Sequence, residues 1–253
     1  MFKFLTNSKN QIKRKVFIIK GYSKTEIEFE SDKYYVNEYC SYFQQNAGGA
    51  YYKSEIVVLN EPSYKELDIF FGKQKIDFAI IIFIGHGATQ DNNQIFQLNS
   101  KEIIKLGQFI LNCDKQIIIL ESCRVIANEI QTVDLTDKIP RFEKGGIVRY
   151  RLTMEQSREI YDSHIKRCED GIMICFACSL GGAAYNYIFS KTILQCAIDW
   201  HLDSSRHCAF LPIDELTRLI YFEVFNLAKG EYGVMQLPQT VNNMNFPFAV
   251  SKF

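Results

Sequence analysis

Seven consecutive apolar residues, Phe78-Ala79-Ile80-Ile81-Ile82-Phe83-Ile84, constrain this chain more than any other stretch. The run is far short of the roughly 18 apolar residues a membrane helix needs. Rich in β-branched residues and without polar alternation, it suits a strand buried on both faces, as in the middle of a parallel sheet. Shorter runs of the same character recur at Lys15–Lys20 (KVFIIK), Glu55–Leu59 (EIVVL), Gln116–Leu120 (QIIIL) and Gly171–Phe176 (GIMICF).

The stretches between them carry helical spacing. Tyr35, Val36, Tyr39, Tyr42 and Phe43 line one face of a helix over Asp32–Gln45, and Pro62-Ser63 opens another that runs through Lys73. Further helices are expected over Lys101–Leu111, Met154–Cys168, Phe189–His201 and Ile213–Lys229, with a short terminal strand at Asn245–Val250. Strands alternating with helices imply βαβ units and an α/β fold, a mostly parallel sheet with helices on both faces. Ile126–Arg151 breaks the rhythm with Pro140, Gly145 and Gly146, and reads as a long exposed loop. A loop of that length inside a domain is usually functional.

The 253 residues fit a single domain, and 47% hydrophobic residues supply its core. Lys plus Arg equals Asp plus Glu at 29 each, which gives no global attraction for nucleic acid. Met1–Lys15 is basic and lacks the apolar core of a signal peptide, and no membrane span is present. Eight scattered cysteines (Cys40, Cys113, Cys123, Cys168, Cys175, Cys178, Cys196, Cys208) form no disulfide framework, so reduced thiols in a cytoplasmic protein are expected.

The chemistry gathers at two strand ends. One strand runs into Gly85-His86-Gly87, the next into Glu121-Ser122-Cys123-Arg124. Sites on open parallel sheets form beyond the carboxyl ends of strands, so neighbouring strands would bring His86 and Cys123 together. An imidazole beside a thiol can accept its proton and later protonate a leaving amine. Gly87 leaves room for a carbonyl to approach, and the N–H groups of Gly87 and Cys123 could form an oxyanion hole.

On these residues the chain resembles the caspase-like cysteine peptidases, the group of caspases, metacaspases and bacterial caspase-family proteins. Gly85-His86-Gly87 is similar to the family's histidine strand end, and Glu121-Ser122-Cys123-Arg124 to its nucleophile motif. Phe176-Ala177-Cys178-Ser179, Ala184-Tyr185-Asn186, Gln236-Leu237-Pro238-Gln239 and Asn245-Phe246-Pro247-Phe248 extend the likeness to the C-terminus. Arg124-Val125 departs from the Gly that follows in many relatives. The resemblance implies a three-layer fold and a thiol endopeptidase acting on protein or peptide substrates through a His86/Cys123 dyad without Asp or Glu. It divides residues 1–253 into a large-subunit-like part (about 15–124), a loop and helix (about 125–170) and a small-subunit-like part (about 171–253). It places Glu121 in the S1 pocket, as metacaspases place an Asp. A carboxylate there favours cleavage after Arg or Lys. No Arg after the first strand or within Phe176–Phe189 is in place to bind an acidic residue instead. Lys138, Arg141, Lys144, Arg149 and Arg151 then become candidate self-cleavage points.

Other signals are weaker. Cys175-x-x-Cys178 with His207-Cys208 has zinc-like composition, but odd spacing on a strand sends the two thiols to opposite faces, so no metal site and no cofactor is expected. Asp91, among Asn92, Asn93 and Gln94, is a thin hint of the calcium that activates some metacaspases; a polar turn is the simpler reading. No phosphate-binding glycine motif is present. The alternative to an enzyme is a non-catalytic caspase-like module that regulates or scaffolds a protein partner. Such modules usually lose the His or the Cys, whereas this chain keeps both. Oligomeric state is not readable from the sequence.

Overall fold

The computed structural model describes residues 12–72, 75–126, 152–203, 205 and 208–252. In chain order their strands are β1 (Arg14–Lys20), β2 (Ile56–Asn60), β3 (Phe78–Ile84), β4 (Gly87–Gln90), β5 (Asn93–Gln97), β6 (Ile103–Lys105), β7 (Lys115–Glu121), β8 (Gly171–Phe176), β9 (Phe210–Pro212), β10 (Gln239–Val241) and β11 (Pro247–Val250). The helices are α1 (Glu26–Gln44), α2 (Tyr64–Gly72), α3 (Met154–Arg167), α4 (Ile188–Leu202) and α5 (Ile213–Tyr232).

Six strands form one sheet in the order β10-β8-β7-β3-β1-β2. All are parallel except β10, which pairs antiparallel with β8 at one edge. Every residue of β3 is buried, and the two-residue period of the strand divides it between two cores. Ile80, Ile82 and Ile84 pack with apolar residues of α1, α3, α4 and α5. Ala79, Ile81 and Phe83 pack on the other face with Leu67 of α2 and with Phe96, Ile104 and Phe109. That second face is shared by α2 and a three-stranded antiparallel sheet, β4-β5-β6. Among the described residues no helix is long and apolar enough to cross a membrane.

Three expectations need correction. The helix over Lys101–Leu111 is absent: Ile103–Lys105 pairs with β5, and Leu106–Phe109 makes a single 3-10 turn. Ile104 is buried while Ile103 is exposed, so strand alternation wins where a neighbouring strand offers a ladder. Buried Gln116 then secures the turn, donating to Phe109 O at 2.6 Å and accepting from Leu111 N–H at 3.0 Å. The terminal strand exists as Pro247–Val250, but pairs with β9 away from the main sheet. Helix α1 begins at Glu26, earlier than Asp32, because Thr25 caps it. The loop read at Ile126–Arg151, with its basic residues, lies beyond Ile126 outside the described residues.

Helix α3 is fastened to the sheet by charge as well as by its apolar face. Arg14 on β1 is fully buried and meets Asp162 of α3 at 2.9 Å. Arg158 of α3 forks onto both carboxylate oxygens of Glu55, just before β2. Arg14 also donates to Gly49 O at 2.6 Å and lies 4.0 Å from the Tyr51 ring centroid. Removing one partner from such a buried group strands the others, at a cost of about 3–5 kcal/mol. Arg14→Ala is therefore expected to lose about that much stability by urea unfolding; a loss under about 1 kcal/mol would show the clamp to be dispensable.

Candidate active site

Register brings the two strand ends together. β3 and β7 are neighbours, with Ile84 opposite Glu121. His86 and Cys123 each stand two residues beyond that pair. Gly85 N–H donates to Glu121 O at 3.2 Å, which continues the ladder past the strands. Gly87 lies against the nucleophile segment: a Cβ there would come within 2.8 Å of Cys123 O and 2.9 Å of Ser122 Oγ. Only glycine fits that approach. The alternation of the β4–β5 ladder directs the Gly87 N–H away from β5. Thr89 N–H, of the same parity, donates to Val125 O at 2.7 Å.

The polypeptide just after Cys123 is held from several sides. Gln94 of β5 donates to Cys123 O at 3.0 Å and accepts from Arg124 Nε at 3.2 Å. The Arg124 guanidinium lies 3.8 Å from the Phe176 ring centroid and reaches the side chain of Gln239 on β10. Arg124 thereby links the Cys123 segment to the far edge of the sheet.

Burial pushes both partners of the pair toward their uncharged forms. Burial lowers the proton affinity of His86; Glu28 acts against that and Lys24 with it. Burial also raises the Cys123 thiol, partly offset by the Ala184 N–H. Both shifts favour the neutral imidazole and the neutral thiol. The Cys123 sulfur is covered by Ala184, whose N–H lies 3.3 Å from it and whose carbonyl lies 3.6 Å away. This covering segment ends in two strained positions, Asn186 (φ 42°) and Tyr187 (φ 56°). Tyr187 stacks on Tyr35 at 4.8 Å and donates to Asp32 Oδ1 at 2.8 Å.

Glu121 is 4% exposed, and its carboxylate accepts from Ser190 N–H in the first turn of α4 at 2.6 Å. It lies on the α1/α4 side of the sheet, with the parity of Ile117 and Ile119. Burial is the main reason its proton affinity rises, to about 7, with Asp32 adding to it. Asp32 is itself buried and raised to about 6, bonded to Ser23 as well as to Tyr187. Glu28 completes the acidic group: its Oε2 lies 3.3 Å from His86 Nε2.

Sequence reasoning missed Glu28 and Asp32. Asp32 was legible only as the start of a helix. Thr25-Glu26-Ile27-Glu28 is a capping-box pattern that marks both the true start of α1 and Glu28. The expectation that the dyad has no carboxylate partner is corrected by the Glu28–His86 contact. Cys175 and Cys178 are both buried, Cys178 donating to Gly182 O at 3.3 Å. His207 lies outside the described residues, and among those described no three His, Cys, Asp or Glu residues converge to hold a metal ion. Asp91 and Asn92, both at positive φ, form the two-residue turn between β4 and β5.

The raised carboxyl of Glu121 sets a sign for stability. The folded chain holds this proton more tightly than the unfolded chain, whose value is about 4.5. Its destabilising effect is thus absent below that value and complete above about 7. Glu121→Gln keeps an oxygen for Ser190 N–H and should gain stability relative to wild type between about pH 5 and about pH 8. Urea unfolding at both values measures this; a pH-independent difference would refute it.

No family model matches the sequence, and no curated protein does. Solved structures do match. Caspase-1 from Spodoptera frugiperda superimposes with a TM-score of 0.51 over 92% of this chain and 88% of its own, at 11% identity. The Drosophila initiator caspase Dronc covers 94% of this chain and 82% of its own, at 8% identity and a TM-score of 0.47. At such identity the likeness speaks for the fold alone. The chain has a caspase-like α/β fold, with its His and Cys motifs at adjoining carboxyl ends of a mostly parallel sheet.

Proposed function

We propose that this protein is a cysteine endopeptidase that cuts protein substrates after Arg or Lys. The observation that carries the reading is the β3–β7 register, which leaves His86 and Cys123 equally far beyond the Ile84–Glu121 pair. His86 removes the thiol proton as Cys123 Sγ attacks the scissile carbonyl. The Gly87 and Cys123 N–H groups receive the oxyanion. His86 then returns the proton to the departing amine, and water releases the acyl group from sulfur with His86 as base. This chemistry needs no cofactor. Burial favours the protonated thiol, so in this reading the proton leaves as Sγ attacks. Substrate must also displace Ala184 from the sulfur.

Support for a basic P1 residue comes from Asp32 and Glu121, gathered on the α1/α4 side of the pair. A guanidinium entering there would meet carboxylates whose mutual repulsion it relieves, and would draw their protons off. Retention of both His86 and Cys123 favours the enzyme over a non-catalytic scaffold.

Peptide-library cleavage tests the reading. Wild type should cut after Arg or Lys, Cys123→Ala should cut nothing, and His86→Ala should lose about 10²–10⁴-fold in kcat. Asp32→Asn should lose about tenfold or more in kcat/KM for Arg at P1. Faster turnover of Asp-P1 peptides would overturn the specificity, and absence of cleavage by wild type would favour the scaffold. The same pocket makes self-cleavage within 126–151 expected: wild type, but not Cys123→Ala, should yield fragments ending at Lys138, Arg141, Lys144, Arg149 or Arg151 on mass analysis. Identical patterns from the two would remove that proposal.

A further inference from the structure

Glu28 occupies the third position of α1, where a capping residue is expected. Thr25 Oγ1 accepts from Glu28 N–H at 3.2 Å, the first half of a capping box. The second half is displaced. A capping-box carboxylate returns to the N–H of the cap residue, but Glu28 Oε2 accepts from Lys24 N–H, one residue earlier, at 2.6 Å. The same oxygen lies 3.3 Å from His86 Nε2. The Glu28 side chain is only 13% exposed, so water screens the contact weakly.

From this juxtaposition we infer that Glu28 is a positioning residue for the thiol chemistry, holding the proton of His86 on Nε2 so that Nδ1 receives the proton of Cys123. The inference rests on the peptidase reading and extends it from a dyad to a Cys123–His86–Glu28 relay. A carboxylate only accepts hydrogen bonds, so the nitrogen facing it carries the hydrogen and the other carries the lone pair. When Nδ1 takes the thiol proton, the ring becomes a cation and the sulfur a thiolate. The second proton stays on Nε2, and Glu28 stabilises the cation without being protonated. The charged groups facing the ring are Glu28 and Lys24 from the start of α1, acting in opposite senses, and Asp32 faces Glu28 from within α1.

Glu28→Gln separates positioning from capping. Gln also serves at the third position of capping boxes and keeps an oxygen for Lys24 N–H, so the thermal midpoint should stay close to wild type. With an Arg-P1 peptide, kcat should fall about tenfold or more, with KM within about twofold. The acid limb of kcat/KM should move down by about one pH unit, because the imidazole loses its anionic neighbour. NMR titration of the His86 ring should move the same way, and iodoacetamide should alkylate Cys123 more slowly. These two readouts need no peptide turnover. A wild type that cuts nothing defeats the peptidase reading, while the His86 titration still decides the role of Glu28. An unshifted titration overturns the inference. So does a rise in KM for basic substrates with the titration unmoved, which would place Glu28 in the P1 pocket instead.

Discussion

Hydrogen bonds between β3 and β7 hold two side chains in step that lie 37 positions apart in the chain. A parallel ladder has one register at a time, and here sliding it by one residue would exchange Ile80, Ile82 and Ile84 with Ala79, Ile81 and Phe83 between two differently packed cores. The hydrophobic drive that buries Ile80, Ile82 and Ile84 on one face and Ile81 and Phe83 on the other therefore also sets the relation of His86 to Cys123. Gly87 and Gln94 refine it at the strand end, the first by close approach and the second by holding the Cys123 carbonyl. The placement of His86 relative to Cys123 is here a by-product of core packing.

The same burial works against charge. Glu121 and Asp32 sit where water is scarce, and both bind protons more tightly than free carboxylates. The structure tolerates them because a helix start, one tyrosine and two serines supply hydrogen bonds. Groups kept in so unfavourable a state suggest a role beyond packing. A cation entering the site would turn their repulsion into attraction.

Much of this was legible in the residues. Phe78–Ile84 announces a central strand because nothing in it tolerates solvent, and the two motifs follow from where such strands end. The parity that links Glu121 to Ile117 and Ile119 was also readable. Its partner was not, since Ser190 is 69 residues away and meets it only through the fold. Lys101–Leu111 misled because its apolar spacing reads as helical, while the β-branched Ile103-Ile104 pair found a strand to pair with. The start of α1 was missed although Thr25-x-x-Glu28 stood in plain sight, and with it went the carboxylate next to His86. Local patterns report local structure; contacts such as Tyr187 to Asp32, across 155 residues, do not leave one.

The clamp of Arg14 and Arg158 on Glu55 and Asp162 bears on what the backbone is needed for. It joins α3, which follows residue 151, to β1 and β2 at the front of the chain. β8 adds a full parallel ladder to β7 across the same divide. A nick between residues 126 and 152 would cut one covalent thread and none of these contacts. The halves would stay assembled as a two-chain particle of unchanged size under native conditions. Cohesion between the two parts resides in these contacts and not in that peptide link.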